Sequence, residues 1–306
     1  MKKIFLFLAV AALMNLTACQ KDGVFKPGRK IAEIQSRFDD EEFLSDKVFH
    51  WDGNKLTSVT VVNNIDGNDL LMEMTYDGKQ LVKMSSSSTV TMEDGSLLVS
   101  ENKVLFDYDG RKLSKVVEIY SYTTSNGIHT VTEEDTIESF DVEHDGKHIS
   151  KIVSKQEISW WKADFRLHKQ VLNMLMPKSV ADRVLAQEKN AAKSGLHVHT
   201  ISYTWDGDNI SSVVTNDKMF VDGEVDSEEN STANYTYDDR KNPLHGFVMG
   251  FEGIGCWSEN NVLTESGLFR DEPYTINYTY EYDGKYPTLC TQTLNENSYS
   301  EKYIYE

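Results

Sequence analysis

Positive charge is scarce in this 306-residue chain: 31 lysines and arginines stand against 49 aspartates and glutamates, a formal net charge of −18. A nucleic-acid binder needs a basic patch to neutralise phosphates, so nucleic acid is excluded as a partner, and the same balance disfavours anionic lipid surfaces. Long apolar runs are missing as well. After Ile4 to Leu13 no segment approaches the ~18 apolar residues of a membrane-crossing helix. Catalytic signatures are absent too: there is no Gly-x-Ser-x-Gly, no His-Glu-x-x-His, no phosphate-binding loop and no glycine-rich dinucleotide turn. No catalytic residue can be named, and no cofactor is implied.

What the chain does have begins at its first residues. Lys2 and Lys3 precede the apolar run, and the stretch closes on Leu16-Thr17-Ala18-Cys19. A charged start, a short apolar run and small residues before a cut describe a secretory signal, here 1–18. A cysteine directly after Leu-Thr-Ala is similar to the lipobox of bacterial lipoproteins, which implies lipid on Cys19 and a chain held to a membrane without spanning it. Residues 19–45 carry Asp22, Gly23, Pro27, Gly28 and the acidic run Asp39 to Glu42, and read as a tether. With Cys19 acylated, Cys256 and Cys290 are the two remaining thiols. They either pair, as an oxidising compartment permits, or stay as buried thiols, and spacing does not decide between the two.

Residues 46–306 carry a repeat. Trp51-Asp52-Gly53 with Leu56 returns as Tyr76-Asp77-Gly78 with Leu81, Tyr108-Asp109-Gly110 with Leu113, His144-Asp145-Gly146 with Ile149, and Trp205-Asp206-Gly207 with Ile210. Degenerate copies follow at Tyr237-Asp238-Asp239 and Tyr282-Asp283-Gly284. Asp-Gly supplies the positive φ of a tight hairpin turn, and the flanking aromatic and aliphatic side chains face each other across two strands. After each turn the apolar residues fall three apart, as in Leu113 and Val116, where a regular strand alternates by two. Either a bulge follows each turn, or both faces of the sheet are partly covered. Tyr274, Ile276, Tyr278, Tyr280 and Tyr282 alternate with polar residues, giving one aromatic and one polar face. The expected fold is all-β: an antiparallel up-and-down meander of 12 to 16 strands, forming a barrel or a strongly curled sheet.

These hairpins loosely resemble the tyrosine-aspartate repeats of large secreted shell proteins. More specifically, YTYDDRKNPL at 235–244, SENNV at 258–262 and YTYEYDGKYPT at 278–288 resemble a Bacteroidetes lipoprotein family of unknown function with a porin-like fold. That resemblance implies a barrel and a cell-envelope location, and carries no catalytic residues.

One gap between repeats is outsized, and residues 160–195 fill it with helical spacing at Trp161, Phe165, His168, Leu172 and Leu175, ended by Pro177. This reads as a helical insertion that packs on the sheet as a lid or gates a ligand, with Trp160, Trp161 and His168 as its candidate ligand-binding residues. His197 and His199 share one strand face, but no acid or cysteine nearby in sequence completes a metal site, so none is assigned. His144 and His148 bracket a turn and are expected in solvent. NNIDGND at 63–69 lacks the twelve-residue calcium-loop spacing. The functional expectation is a non-enzymatic, lipid-anchored lipoprotein of the outer membrane that binds a glycan or an envelope protein through aromatic residues. An envelope hydrolase with an unidentified carboxylate pair and an outer-membrane barrel are the alternatives.

Overall fold

The computed structural model describes residues 25, 27–62, 69–91, 96–125, 130–158, 195–221, 223–247, 254–269, 272–295 and 297–306. Its strands are β1 (Ile31–Phe38), β2 (Leu44–Asp52), β3 (Lys55–Val61), β4 (Leu70–Asp77) and β5 (Gln80–Thr91). β6 (Leu97–Asp109), β7 (Lys112–Ser125), β8 (Thr130–Asp145) and β9 (His148–Ile158) follow, then β10 (Gly195–Asp206), β11 (Asn209–Val221) and β12 (Glu224–Lys241). A four-residue helix, α1 (Ile254–Trp257), precedes β13 (Asn260–Phe269), β14 (Glu272–Asp283), β15 (Tyr286–Leu294) and β16 (Asn297–Tyr305). Every strand pairs antiparallel with its sequence neighbours, and β1 pairs with β16, so the meander closes as a sixteen-strand barrel.

β1 corrects the reading of 19–45 as tether throughout. Ile31 and Ile34 are buried against the core, and the strand is hydrogen-bonded along both edges, to β16 and to β2. The Pro/Gly punctuation and the acidic run that suggested a tether lie on either side of this strand.

The Asp-Gly turns sit at one end of the barrel, together with the start of β1 and the end of β16; we call it the turn end. At Gly53, Gly78, Gly110, Gly146, Gly207 and Gly284 φ lies between +55° and +63°, while positive φ outside glycine falls at Asp39 and Asn295 among the described residues. Asp52 pairs with Lys55, so the glycine occupies the first of two central positions, the φ pattern of a type II′ turn. The Tyr237-Asp238-Asp239 copy makes no tight turn: β12 runs on to Lys241, and residues 242–259 form the connection.

A bulge follows each of the six turns. Opposite Trp51 stands Leu56, but opposite His50 stands Ser58, leaving Thr57 as the extra residue. Val82, Ser114, Ser150, Ser211 and Thr288 hold the same place in their hairpins. The bulge is why apolar residues three apart share one face. Thr57, Ser114 and Ser211 each donate a hydroxyl proton to the carbonyl seven residues back, at 2.9, 3.1 and 3.2 Å.

Side chains of a closed barrel alternate inward and outward. Leu56, Val59, Met84, Val104, Val116, Ile152 and Ile210 are essentially inaccessible, so the face they share is the interior. Outward positions on β14 are Thr275, Asn277, Thr279 and Glu281, all exposed. Glu73, Thr75, Asp107, Asp141 and Glu143 do the same on β4, β6 and β8. The turn end is filled: the 242–259 connection and α1 bring Phe247 against Phe25 at 4.9 Å and Phe49 at 5.5 Å, with Cys256 and Trp257 in the same core.

Candidate functional site

The aromatic of each repeat does more than pack. Trp51 Nε1 donates to the Ile31 carbonyl at 2.8 Å, Tyr76 Oη to Leu56 at 2.8 Å and Tyr108 Oη to Leu81 at 2.9 Å. His144 Nε2 donates to Leu113 at 2.7 Å, Trp205 Nε1 to Ile149 at 2.7 Å and Tyr237 Oη to Ile210 at 2.6 Å. Tyr305 closes the circle on Pro287 at 2.7 Å. For Tyr76, Tyr108, His144, Trp205, Tyr237 and Tyr305 the acceptor is the residue just after the preceding turn, beside its bulge, while Tyr282 donates to the Asp238 carboxylate, so each hairpin is tied to the one before. Burial pushes the Tyr76 hydroxyl up to about 12. This ring is scaffold, and it corrects the expectation for His144, whose ring is held between strands. His148 is likewise held, stacked on Trp205 at 4.2 Å and bonded to Asp208.

Farther from the turns the interior changes character. β13 turns Glu265 inward, and Tyr274 and Tyr278 of β14 donate to its two oxygens at 2.8 and 3.3 Å. β16 turns Glu301 inward, where Tyr303 and Tyr299 donate at 2.9 and 3.3 Å. Tyr235, Tyr280 and Cys290 lie between, and Lys47 joins from β2 with Asp46 at 2.6 Å. Burial first, then Glu265 and Glu301, push the hydroxyls of Tyr278, Tyr235 and Tyr299 well up. Burial and Glu301 carry the Cys290 thiol up to about 12. For Lys47 burial works downward, but Asp46 and Glu301 outweigh it and the amine is held above its usual value. Both carboxylates and Tyr274, Tyr278 and Tyr299 are half-buried, and Tyr299 continues outward into Phe38 at 5.1 Å, which is 47% exposed. This wall, from β12 round to β2, can stack aromatic faces on a ligand while carboxylates accept its hydroxyl protons.

Across the interior, register supplies the acid that sequence proximity did not. Asp217 of β11 stands opposite His199 and accepts from His199 Nδ1 at 2.6 Å and His197 Nε2 at 3.2 Å. Burial works to raise the Asp217 carboxyl, yet the two imidazole bonds hold it below the usual carboxylate range. Among the described residues no group of three or more His, Cys, Asp or Glu is arranged to hold a metal ion. Glu118 and Glu138 face each other on β7 and β8, but Glu118 is 2% exposed and Glu138 bonds Ser154, so this pair is packed into the wall.

Cys256 and Cys290 are buried and free, so the bridge left open by the sequence is not made: Cys256 lies in α1 at the turn end and Cys290 in the tyrosine wall. Cys19, the 1–18 signal, Trp160, Trp161, His168 and the proposed helices up to residue 194 lie outside the described residues, as do 63–68.

No family model and no curated protein sequence matches this chain. Among solved structures, a porin-like protein from Bacteroides vulgatus aligns over 91% of this chain and 99% of its own, with 9% identity and a TM-score of 0.39. At that score the likeness carries no argument about function or membrane location.

Proposed function

We propose that this protein is a lipid-anchored envelope lipoprotein whose barrel binds a glycan, without catalysis, on the inner wall formed by Tyr274, Tyr278, Tyr299, Glu265 and Glu301. The observation that carries the reading is the pair of half-buried carboxylates, each bonded by two tyrosine hydroxyls on one continuous wall. Sugar rings offer an apolar C–H face for stacking and hydroxyls for carboxylates, so the wall matches a polyhydroxylated ligand better than an apolar one. The lipobox ending at Cys19, and the resemblance to an envelope lipoprotein family, support the location.

The outward face argues against the alternative of an outer-membrane barrel. A lipid-facing barrel needs an apolar outer band, and each lysine or arginine at mid-bilayer costs about 2–4 kcal/mol. Here the outward positions carry Lys83, Lys103, Lys115 and Lys151, Lys103 at the middle of β6, beside Glu73, Asp107, Asp141, Glu143 and Glu281.

A glycan array probed with residues 20–306 tests the binding. Selective capture of one sugar class is expected, with affinity falling at least about tenfold in Tyr278→Ala and Glu265→Gln, as for lost stacking and a lost charged hydrogen bond. No glycan above background, or unchanged binding by both variants, would remove the proposal.

A further inference from the structure

We infer that the turn end of the barrel is a membrane-facing surface, resting on the phospholipid headgroups, and that the tyrosine–carboxylate wall lies toward the end away from the bilayer. The inference rests on the lipid anchor at Cys19 proposed above.

Chain length carries the first part. Phe25 is 4% exposed and sits in the turn-end core, with its ring 5.7 Å from Trp51 and 4.9 Å from Phe247. Six residue steps separate Cys19 from Phe25, and even fully extended they reach only about 20 Å. The strands beside it, β1 to β4, hold 7 to 9 residues and run roughly 24–30 Å along their length. The extended segment therefore ends short of their far ends, and the end that holds Phe25 is drawn to the surface.

Charge carries the second part. The chain as a whole is acidic enough to be repelled by anionic headgroups, but its charges are unevenly placed. The turns bring Lys55, Lys79, Lys112, Lys147, Arg240 and Lys285 to the turn end, one beside nearly every turn aspartate. The opposite end holds Asp39, Asp40, Glu41 and Glu42 in one connection and Glu224, Asp226 and Glu228 at the start of β12. Near-neutral charge beside the headgroups and acidic charge away from them is the arrangement of lower energy, within a screening length of roughly 8–10 Å.

The test uses acylated full-length protein in vesicles of phosphatidylethanolamine and phosphatidylglycerol carrying a headgroup quencher. A fluorophore is placed at Lys79→Cys on the turn end or at Glu41→Cys on the far end; Cys256 and Cys290 are buried and do not compete for label. Severalfold stronger quenching at position 79 is expected. Flotation of the protein with equal quenching, or stronger quenching at position 41, would overturn the orientation alone. Failure of the wild type to float where Cys19→Ala also fails would overturn the anchor and the orientation together.

Discussion

A phenylalanine would fill the space of Tyr76, Tyr108 or Tyr237, yet none of the seven repeat aromatics is phenylalanine in a chain that contains 13 of them. The hydrogen bonds give the reason: the position needs an aromatic with a donor at its tip, and Trp, Tyr and His are the three that qualify. Tyr76→Phe or Tyr108→Phe strands the Leu56 or Leu81 carbonyl beside a bulge, which should cost about 1–3 kcal/mol and lower Tm by a few degrees in a thermal melt. An unchanged Tm would mean the ring is packing only. Tyrosine burial also sets the alkaline limit. The folded hydroxyls of Tyr76 and Tyr237 are raised to about 12 and the Cys290 thiol to about 12. A group raised in the folded state contributes stability that is complete below its unfolded value and is lost as pH climbs through the folded one. Stability should thus decline from about pH 9–10 upward, with tyrosinate absorbance and loss of β-type circular dichroism rising in one step. Complete ionisation of the tyrosines while the fold persists would contradict the burial. The need for a donor was legible only in hindsight, in the choice among aromatics, which the sequence alone presents as packing across two strands. The acceptor was not, because it depends on which carbonyl the neighbouring bulge turns inward.

At the scale of the hairpin, the three-residue apolar spacing already required a bulge or a two-sided cover, and the structure chooses the bulge. The sequence showed the turn through Asp-Gly, and five of the six extra residues are Ser or Thr, a signal that marks the bulge in hindsight. β1 was not legible: eight residues with two buried isoleucines form a strand only because β16 and β2 offer partners at both edges. Gly267 is a similar case. A methyl there would run into the Thr232 carbonyl oxygen on the facing strand. Gly267→Ala should force β12 and β13 apart and cost about 1–3 kcal/mol, read by chemical denaturation; a neutral effect would show that the two strands sit farther apart. The segment between β9 and β10 leaves and returns at paired residues, Ile158 opposite Gly195. Replacing 160–194 with a Gly-Asn turn should therefore leave a cooperative β-type melt, since the flanking strands already hold each other and added loop costs little. Loss of that melt would make the segment part of the core.

For the whole molecule, alternation within strands gave the barrel its two faces, but which face is inside follows only from closure. The candidate wall shows the same limit. Tyr274, Tyr278 and Tyr280 read as one face from their spacing, whereas Glu265 and Glu301 were two of 49 acids until register set them beside tyrosines. Asp217, eighteen residues from His199, was equally hidden. The account stands on a barrel that buries an apolar and aromatic core inside and carries charged residues among exposed apolar ones such as Leu71 and Val214 on its outer face. The most direct check is the behaviour of residues 20–306 carrying no lipid in detergent-free buffer, followed by sedimentation and circular dichroism. A monodisperse, fully β protein that gains no structure when micelles are added is expected. A chain that aggregates without detergent and folds only on insertion into micelles would contradict the account.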